Sequence, residues 1–362
     1  MSEETTGALE NIVETENVKC QNCGGNMVFD PSTQMLSCAH CGTKCSFSQD
    51  LRAEELALSS YLSVQTTWTE EDTTLFCCDN CGAKIVVSAT ETATLCPFCS
   101  TAHVKVLDEL AGVKPNTVVP FAFSQDKALE YTKEWAKKRL FAPNSFKKNL
   151  KAENLRGVYT PSFTFDSKTF SYYEGVLGET RTRTVGSGKN KRTETYTVWF
   201  NVKGTYDCFY DDVLITAGTK FSQRELDGVS PYDTNEGKAY DEEYLLGFSA
   251  YHYDKELSDC WCEAKSRIDS KIRKGILSKY HCDKVRYLNV STNHSDVTFK
   301  YVMLPVYVGN FNFKQKLFNF FVNGSTGKVY GKTPKSPLKI AIAVLIGVVI
   351  VVGVALLAQI YS

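Results

Sequence analysis

The stretches Cys20-Gln-Asn-Cys-Gly-Gly-Asn-Met-Val28 and Cys78-Asp-Asn-Cys-Gly-Ala-Lys-Ile-Val86 open two copies of one pattern. Each is completed by a second Cys-x-x-Cys pair, Cys38 and Cys41 in the first copy, Cys96 and Cys99 in the second. Both read C-x2-C-x14-C-x2-C, and every cysteine of the second quartet lies 58 residues after its counterpart. An internal repeat this regular is read before anything else. A Cys-x-x-Cys turn presents two sulfurs on one side. Two such turns joined by a hairpin supply the four thiolates that a tetrahedral Zn²⁺ prefers. The 14-residue spacer is slightly below the common ribbon range of ~15–20 residues, yet holds two short strands and a turn, which Asp30-Pro-Ser-Thr-Gln34 can make. The pattern predicts two zinc ribbons binding two Zn²⁺. The ligands are Cys20, Cys23, Cys38 and Cys41, then Cys78, Cys81, Cys96 and Cys99. Four protein ligands leave no open position, so the metal is expected to fold the segment rather than catalyse.

Two other uses of paired cysteines fit less well. A thioredoxin-like site needs one pair at a helix start, whereas four pairs fall in two matched quartets. A disulfide scaffold needs an oxidising compartment. The first 19 residues carry five acids, one base and no apolar stretch, unlike a secretory signal. Cys77 abuts Cys78, but the 58-residue register selects Cys78. Cys45 and His103 share that register without being needed as ligands, and His40 reads as a passenger inside a knuckle. Cys208, Cys260, Cys262 and Cys282 read as ordinary buried thiols.

Further along, Ile340 to Ala358 is 19 residues without a polar side chain. At ~1.5 Å per residue it reaches ~28 Å, the thickness of a bilayer's hydrocarbon core. Lys328, Lys332, Lys335 and Lys339 precede it. Positive flanks stay cytosolic, so a tail anchor with the N-terminal bulk in the cytosol is expected.

Between ribbons and anchor, residues 48–63 suggest a short helix. Residues 124–140 show an amphipathic helix, and a second is expected over 255–280. Alternating segments at 157–166, 176–185, 193–208, 284–290, 297–312 and 316–322 read as strands, with a basic hairpin tip at 186–192 and a turn at 323–327. Gly157-Val-Tyr-Thr-Pro-Ser-Phe163 and Tyr301-Val-Met-Leu-Pro-Val-Tyr307 align on Pro161 and Pro305, a fainter second repeat. The result is an α+β chain: an acidic lead (1–18), ribbon one (19–47), a helical linker (48–75), ribbon two (76–106), a β-rich domain with two helices (113–333) and a transmembrane helix (338–360).

Composition narrows function. Lys plus Arg equals Asp plus Glu at 41 each, which disfavours a dedicated nucleic-acid binder. Bases nevertheless cluster locally, eight against two acids from Lys133 to Arg156, and 13 acids face four bases from Asp207 to Asp259. Gly327-Lys-Val-Tyr-Gly-Lys-Thr333 is one residue short of a phosphate loop, and no hydrolase or metalloprotease motif occurs. Asp211, Asp212, Asp241, Glu242 and Glu243 read as a solvated acidic face. The acceptor triplets at Asn289, Asn293 and Asn323 are expected to be unused in the cytosol.

The quartets resemble zinc ribbons of the general transcription factor B type. With Val119-Pro-Phe-Ala-Phe123, Gly157 to Asp166, Leu304-Pro-Val-Tyr307 and Asn323-Gly-Ser-Thr-Gly-Lys328, the whole chain is similar to a bacterial tail-anchored family of paired-ribbon proteins. Some members look like membrane partners of the phage shock protein A response. That resemblance implies a place at the bacterial inner membrane, with membrane proteins or peripheral stress proteins as partners. The expected role is a non-enzymatic scaffold or adaptor touching membrane lipid. The alternative is a membrane-tethered nucleic-acid-binding protein, from the ribbon type and the bases Lys147, Lys148, Lys151, Lys189, Lys191 and Arg192.

Overall fold

The computed structural model describes residues 19–47, 53–61, 73–88, 95–101, 104–107, 114–152, 155–188 and 191–360. The acidic lead, most of the linker and the very tip of the basic hairpin lie outside them. The first ribbon holds β1 (Met27–Asp30), β2 (Met35–Cys38) and β3 (Lys44–Cys45). The linker contributes β4 (Leu56–Ala57) and α1 (Leu58–Tyr61), and the second ribbon β5 (Thr73–Cys78), β6 (Lys84–Ser88) and β7 (Val104–Leu107). Then come β8 (Thr117–Val118), α2 (Gln125–Lys137), α3 (Asn144–Lys148), β9 (Leu155–Val185) and β10 (Arg192–Thr216). After α4 (Gln223–Val229), β11 (Lys238–Ala239) and β12 (Ser249–Tyr251), the chain forms α5 (Leu257–Leu277), β13 (Lys284–Phe313), β14 (Lys316–Asn323), β15 (Val329–Gly331) and α6 (Pro337–Ile360).

Strands β9 and β13 run antiparallel along most of their length, from Lys284 opposite Gly178 to Gly309 opposite Leu155. The faint proline repeat is a local two-fold of this pair. Met303 faces Pro161, and Pro305 faces Tyr159. On the outer edge of β9, β12 pairs in parallel at Val158 and Tyr159, and β10 takes over from Ser162. On the outer edge of β13, β8 pairs in parallel at Val302 and Met303, and β14 takes over from Val306. Each proline marks the handover. Its carbonyl accepts the N–H of the residue after the arriving strand, Ala217 to Pro161 at 3.0 Å and Gly324 to Pro305 at 2.8 Å. Carbonyl and nitrogen of a strand residue face the same edge, so a proline there withholds a donor that has no partner in the gap. The repeat extends to the helices. Gln125 and Leu257 start α2 and α5 at the same distance from Thr117 and Ser249, and buried Ala128, Thr132 and Ala136 correspond to Cys260, Ala264 and Ile268.

Both faces of the sheet are covered near the two-fold. On one, α5 buries Ala264, Ile268, Ile272 and Ile276 at helical spacing, with Trp261 of α5 5.5 Å from Phe165. Trp135 of α2 stacks 6.0 Å from Phe320. On the other, Phe221 and, from α4, Leu226 and Val229 join Val302, Leu304, Val306 and Phe321, together with Ile85 and Phe98 of the second ribbon. Asn323 fixes the turn at 323–327. It donates to the carbonyls of Val229 (3.1 Å) and Pro231 (2.8 Å) and accepts from the N–H of Ser325 and Thr326. Buried this way, its amide is inaccessible as an acceptor of glycan.

Three sequence readings change. The helix expected at 48–63 is, within the described residues, the strand β4 and a single helical turn. Leu56 is drawn onto the edge of β13 opposite Phe299, and Glu55 reaches Lys300 at 3.5 Å. Two short helices, α3 and α4, accompany the two expected long ones, α4 closed by a capping box between Ser222 and Glu225. Asp212 is not solvated: its carboxylate lies 3.0 Å from the buried Lys300 ammonium. Asp166, beside them, accepts from the Asp212 N–H and the Thr298 hydroxyl. Burial raises its carboxyl to about 6 against those two bonds.

Replacing Ile272 by Ala removes a fully buried side chain of α5 and should cost about 2–5 kcal/mol. Ser270→Ala, on the exposed face, should stay within about 0.5 kcal/mol. Equilibrium denaturation of the detergent-solubilised chain checks both.

Candidate metal centres

The four knuckles are built alike. In each, the N–H of the leading cysteine bonds the carbonyl five residues on: Cys20 to Gly25 (2.7 Å), Cys38 to Thr43 (2.8 Å), Cys78 to Ala83 (3.0 Å) and Cys96 to Thr101 (2.9 Å). The carbonyl of that cysteine accepts the N–H four residues on, from Gly24, Gly42, Gly82 and Ser100. Those four residues have φ of 70°, 74°, 70° and 59°. A left-handed residue is what turns the backbone N–H groups inward around the sulfurs, and glycine adopts it without steric cost.

The knuckles meet in pairs within each copy. Sγ of Cys20 lies 3.5 Å from Cys41 and Cys23 3.5 Å from Cys38. In the second copy, Cys78–Cys99 and Cys81–Cys96 are both 3.6 Å. All four sulfurs of each set lie within 4.8 Å of one another. A tetrahedron of ~2.3 Å metal–sulfur bonds has edges of about 3.8 Å, so both sets fit a zinc ion. Their electrostatics point the same way. The Thr43 hydroxyl, 3.1 Å away, and its backbone hold Cys41 down to about 5. The Gly25 N–H favours the Cys23 thiolate, but neighbouring Cys41 and Cys38 push that thiol up to about 12. In the second set, burial works against ionisation, yet Thr101 and Asn80 bring Cys99 to about 6, while burial carries Cys81 to about 11. Four thiols this close cannot all ionise without a cation among them.

The structure thus assembles all eight sequence-predicted ligands, in two groups of four, on a scale suited to a metal ion. Cys77 precedes Cys78 on β5, so its side chain points to the opposite face. Cys45 and His40 are outside both groups, and His103 is outside the described residues. Of the four supposed buried thiols, Cys260 is fully buried, and burial raises it to about 12. Cys208 and Cys282 are half-buried, and Cys262 is exposed because two residues along a helix is more than half a turn.

What sequence spacing could not show is how the ribbons attach. Ribbon one docks through Phe29, whose N–H bonds the Leu246 carbonyl at 2.9 Å and whose ring meets Tyr244 edge-on at 5.2 Å. Gln34 adds a bond to the Phe121 carbonyl at 2.8 Å. Ribbon two joins the main sheet outright: β6 pairs with β12 at Val86–Ala250 and Ile85–Tyr251. Phe98 meets Tyr251 at 5.0 Å, and Asn310 donates to the Pro97 carbonyl and the Ser100 hydroxyl, both at 3.0 Å. The two sites also differ in exposure. Cys23 and Cys41 are exposed, whereas Cys81 and Cys99 are half-buried.

Compared with known proteins, the chain is 31 % identical over 327 residues to YdjG of Bacillus subtilis (strain 168), named as an uncharacterized protein, covering 89 % of this chain and 91 % of that one. The chain belongs to the same family as YdjG. No family profile matches it, and no solved structure does.

Metal analysis of the intact chain should give two zinc ions. Cys20→Ser or Cys38→Ser should remove one and leave the other, and Cys78→Ser should do the same to the second site. Cys77→Ser should leave both. Loss of both ions on one substitution would contradict the separation of the sulfurs into two sets.

Proposed function

We propose that this member of the YdjG family is a membrane-anchored adaptor, with two structural zinc ribbons and a β domain that docks partner proteins at the cytosolic face of the bacterial inner membrane. The observation that carries the reading is the open sheet face beyond the two-fold. Lys168, Phe170, Tyr172 and Glu174 of β9 point away from α5, with Phe209 and Asp207 beside them on β10. Tyr172 is 63 % exposed and Phe209 55 %, and Trp199 and Tyr287 lie on the same surface. Aromatic side chains clustered on an open face are characteristic of surfaces that bind other proteins. The closed thiolate sets supply rigidity rather than a reactive position.

Membrane attachment rests on α6. Pro337–Leu356 is long and apolar enough to cross a bilayer, and its side chains are exposed to the surroundings. The lysines at 328, 332, 335 and 339 support a cytosolic large domain by the positive-inside rule. The resemblance to partners of phage shock protein A makes peripheral stress proteins of that type the first candidates for the docked partner.

Nucleic-acid binding is the second reading, favoured by the basic end of the β9–β10 hairpin with Tyr196 and Trp199 nearby. Part of that charge is met within the hairpin. Arg181 pairs with Glu179, and Arg183 and Arg192 both pair with Glu194.

Photocrosslinking from position 174, on the same face of β9, in native membranes should trap a protein partner, and Tyr172→Ser with Phe209→Ser should abolish the adduct while keeping two zinc ions. A salt-sensitive complex with nucleic acid, in place of a protein adduct, would favour the second reading.

A further inference from the structure

The start of α6 is sewn to the soluble domain. The Ser336 N–H donates to the Phe141 carbonyl at 2.8 Å. Lys339 donates through Nζ to the Ala142 carbonyl at 2.7 Å and to Asn144 Oδ1 at 2.8 Å. Pro143 and Pro334 are buried beside these bonds. The connection between α2 and α3 is therefore held at the level of residues 336–339, where the apolar run begins.

That corner is built unlike an ordinary solvent-facing turn. Leu140 is 75 % exposed and Phe141 44 %, adjacent in sequence and with their backbone fixed beside the helix start. Lys137, Lys138 and Arg139 directly precede them and Lys148 ends α3 a few residues on; all four are exposed, with Lys147 half-buried. Arg139 lies 4.8 Å above the Trp135 ring. Lys147 donates to the Lys137 carbonyl. The carboxylate on the same end of α2 is Glu134. An exposed apolar pair flanked in sequence by cations, beside the start of a span, matches the chemistry of an anionic leaflet: acyl chains take the apolar side chains and headgroups take the charges.

We propose that the α2–α3 corner, centred on Leu140 and Phe141 with Lys137, Lys138, Arg139 and Lys148, is a second membrane contact that binds anionic phospholipid beside the anchor. This rests on α6 being a span. Together with the bonds that hold the start of α6, the contact would fix the tilt of the domain on the membrane.

The test uses the full chain in nanodiscs containing a phospholipid with a photoreactive acyl chain, and mass spectrometry of the labelled peptides. With phosphatidylglycerol present, label is expected both in α6 and in the peptide containing Leu140 and Phe141. Leu140→Ser with Phe141→Ser should lower the corner label at least five-fold while α6 label and two bound zinc ions persist. Lys137→Gln with Lys138→Gln and Lys148→Gln should lower it in anionic discs to the level of phosphatidylcholine discs. A labelled α6 with an unlabelled corner overturns this proposal and leaves the span intact, as does corner label indifferent to both sets of substitutions. An unlabelled α6 overturns the span reading itself.

Discussion

The pairing of β9 with β13 is the constraint on which everything else hangs. Every other strand of the β domain either borders this pair or borders a strand that does. Because the pair has a local two-fold, each edge repeats the same relay, a short parallel strand followed by a long antiparallel one. The relay requires a position on each central strand whose nitrogen asks for no partner, and proline fills it at 161 and 305. Two prolines that would be disruptive in an ordinary central strand are what permit one strand to serve two neighbours in turn.

The ribbons depend on that frame unequally. Ribbon one is attached by packing and a few hydrogen bonds through Phe29 and Gln34. Ribbon two shares its backbone ladder with β12, so order around its four sulfurs and order in the sheet are one cooperative matter. The buried Lys300, between Asp212 and Glu55, does for the linker what β12 does for ribbon two. It secures the segment between the two metal sites to the same central strand.

Much of this was legible in the sequence, for identifiable reasons. Cysteine spacing encodes a coordination shell directly, so both four-sulfur sets could be read from position alone. The uninterrupted apolar run of α6 and the helical period of α5 are similarly local signals. Long-range signals were fainter. The proline repeat could be seen because proline is chemically singular, but its continuation through β8–α2 and β12–α5 was hidden. Val119-Pro-Phe and Tyr251-His-Tyr share a position without sharing side chains. The Lys300 cluster left no trace, because Glu55, Asp166, Asp212 and Lys300 come from four distant segments. The linker helix was misread because its leucines fit a helix, while pairing with β13 outweighs the preference of so short a segment.

The two-fold is also broken, and the breakage has a mechanical meaning. Where β14 returns after eight residues, β10 follows β9 as far as Val185. The near end of β9 lies by α2, since Gln125 binds the Ala152 and Leu155 carbonyls, and the strand runs 31 residues from there. At ~3.3 Å per residue that is a mast of up to ~100 Å. A surface displayed along such a mast offers a partner one long, rigid line of contact, gripped along its length rather than at a single pocket.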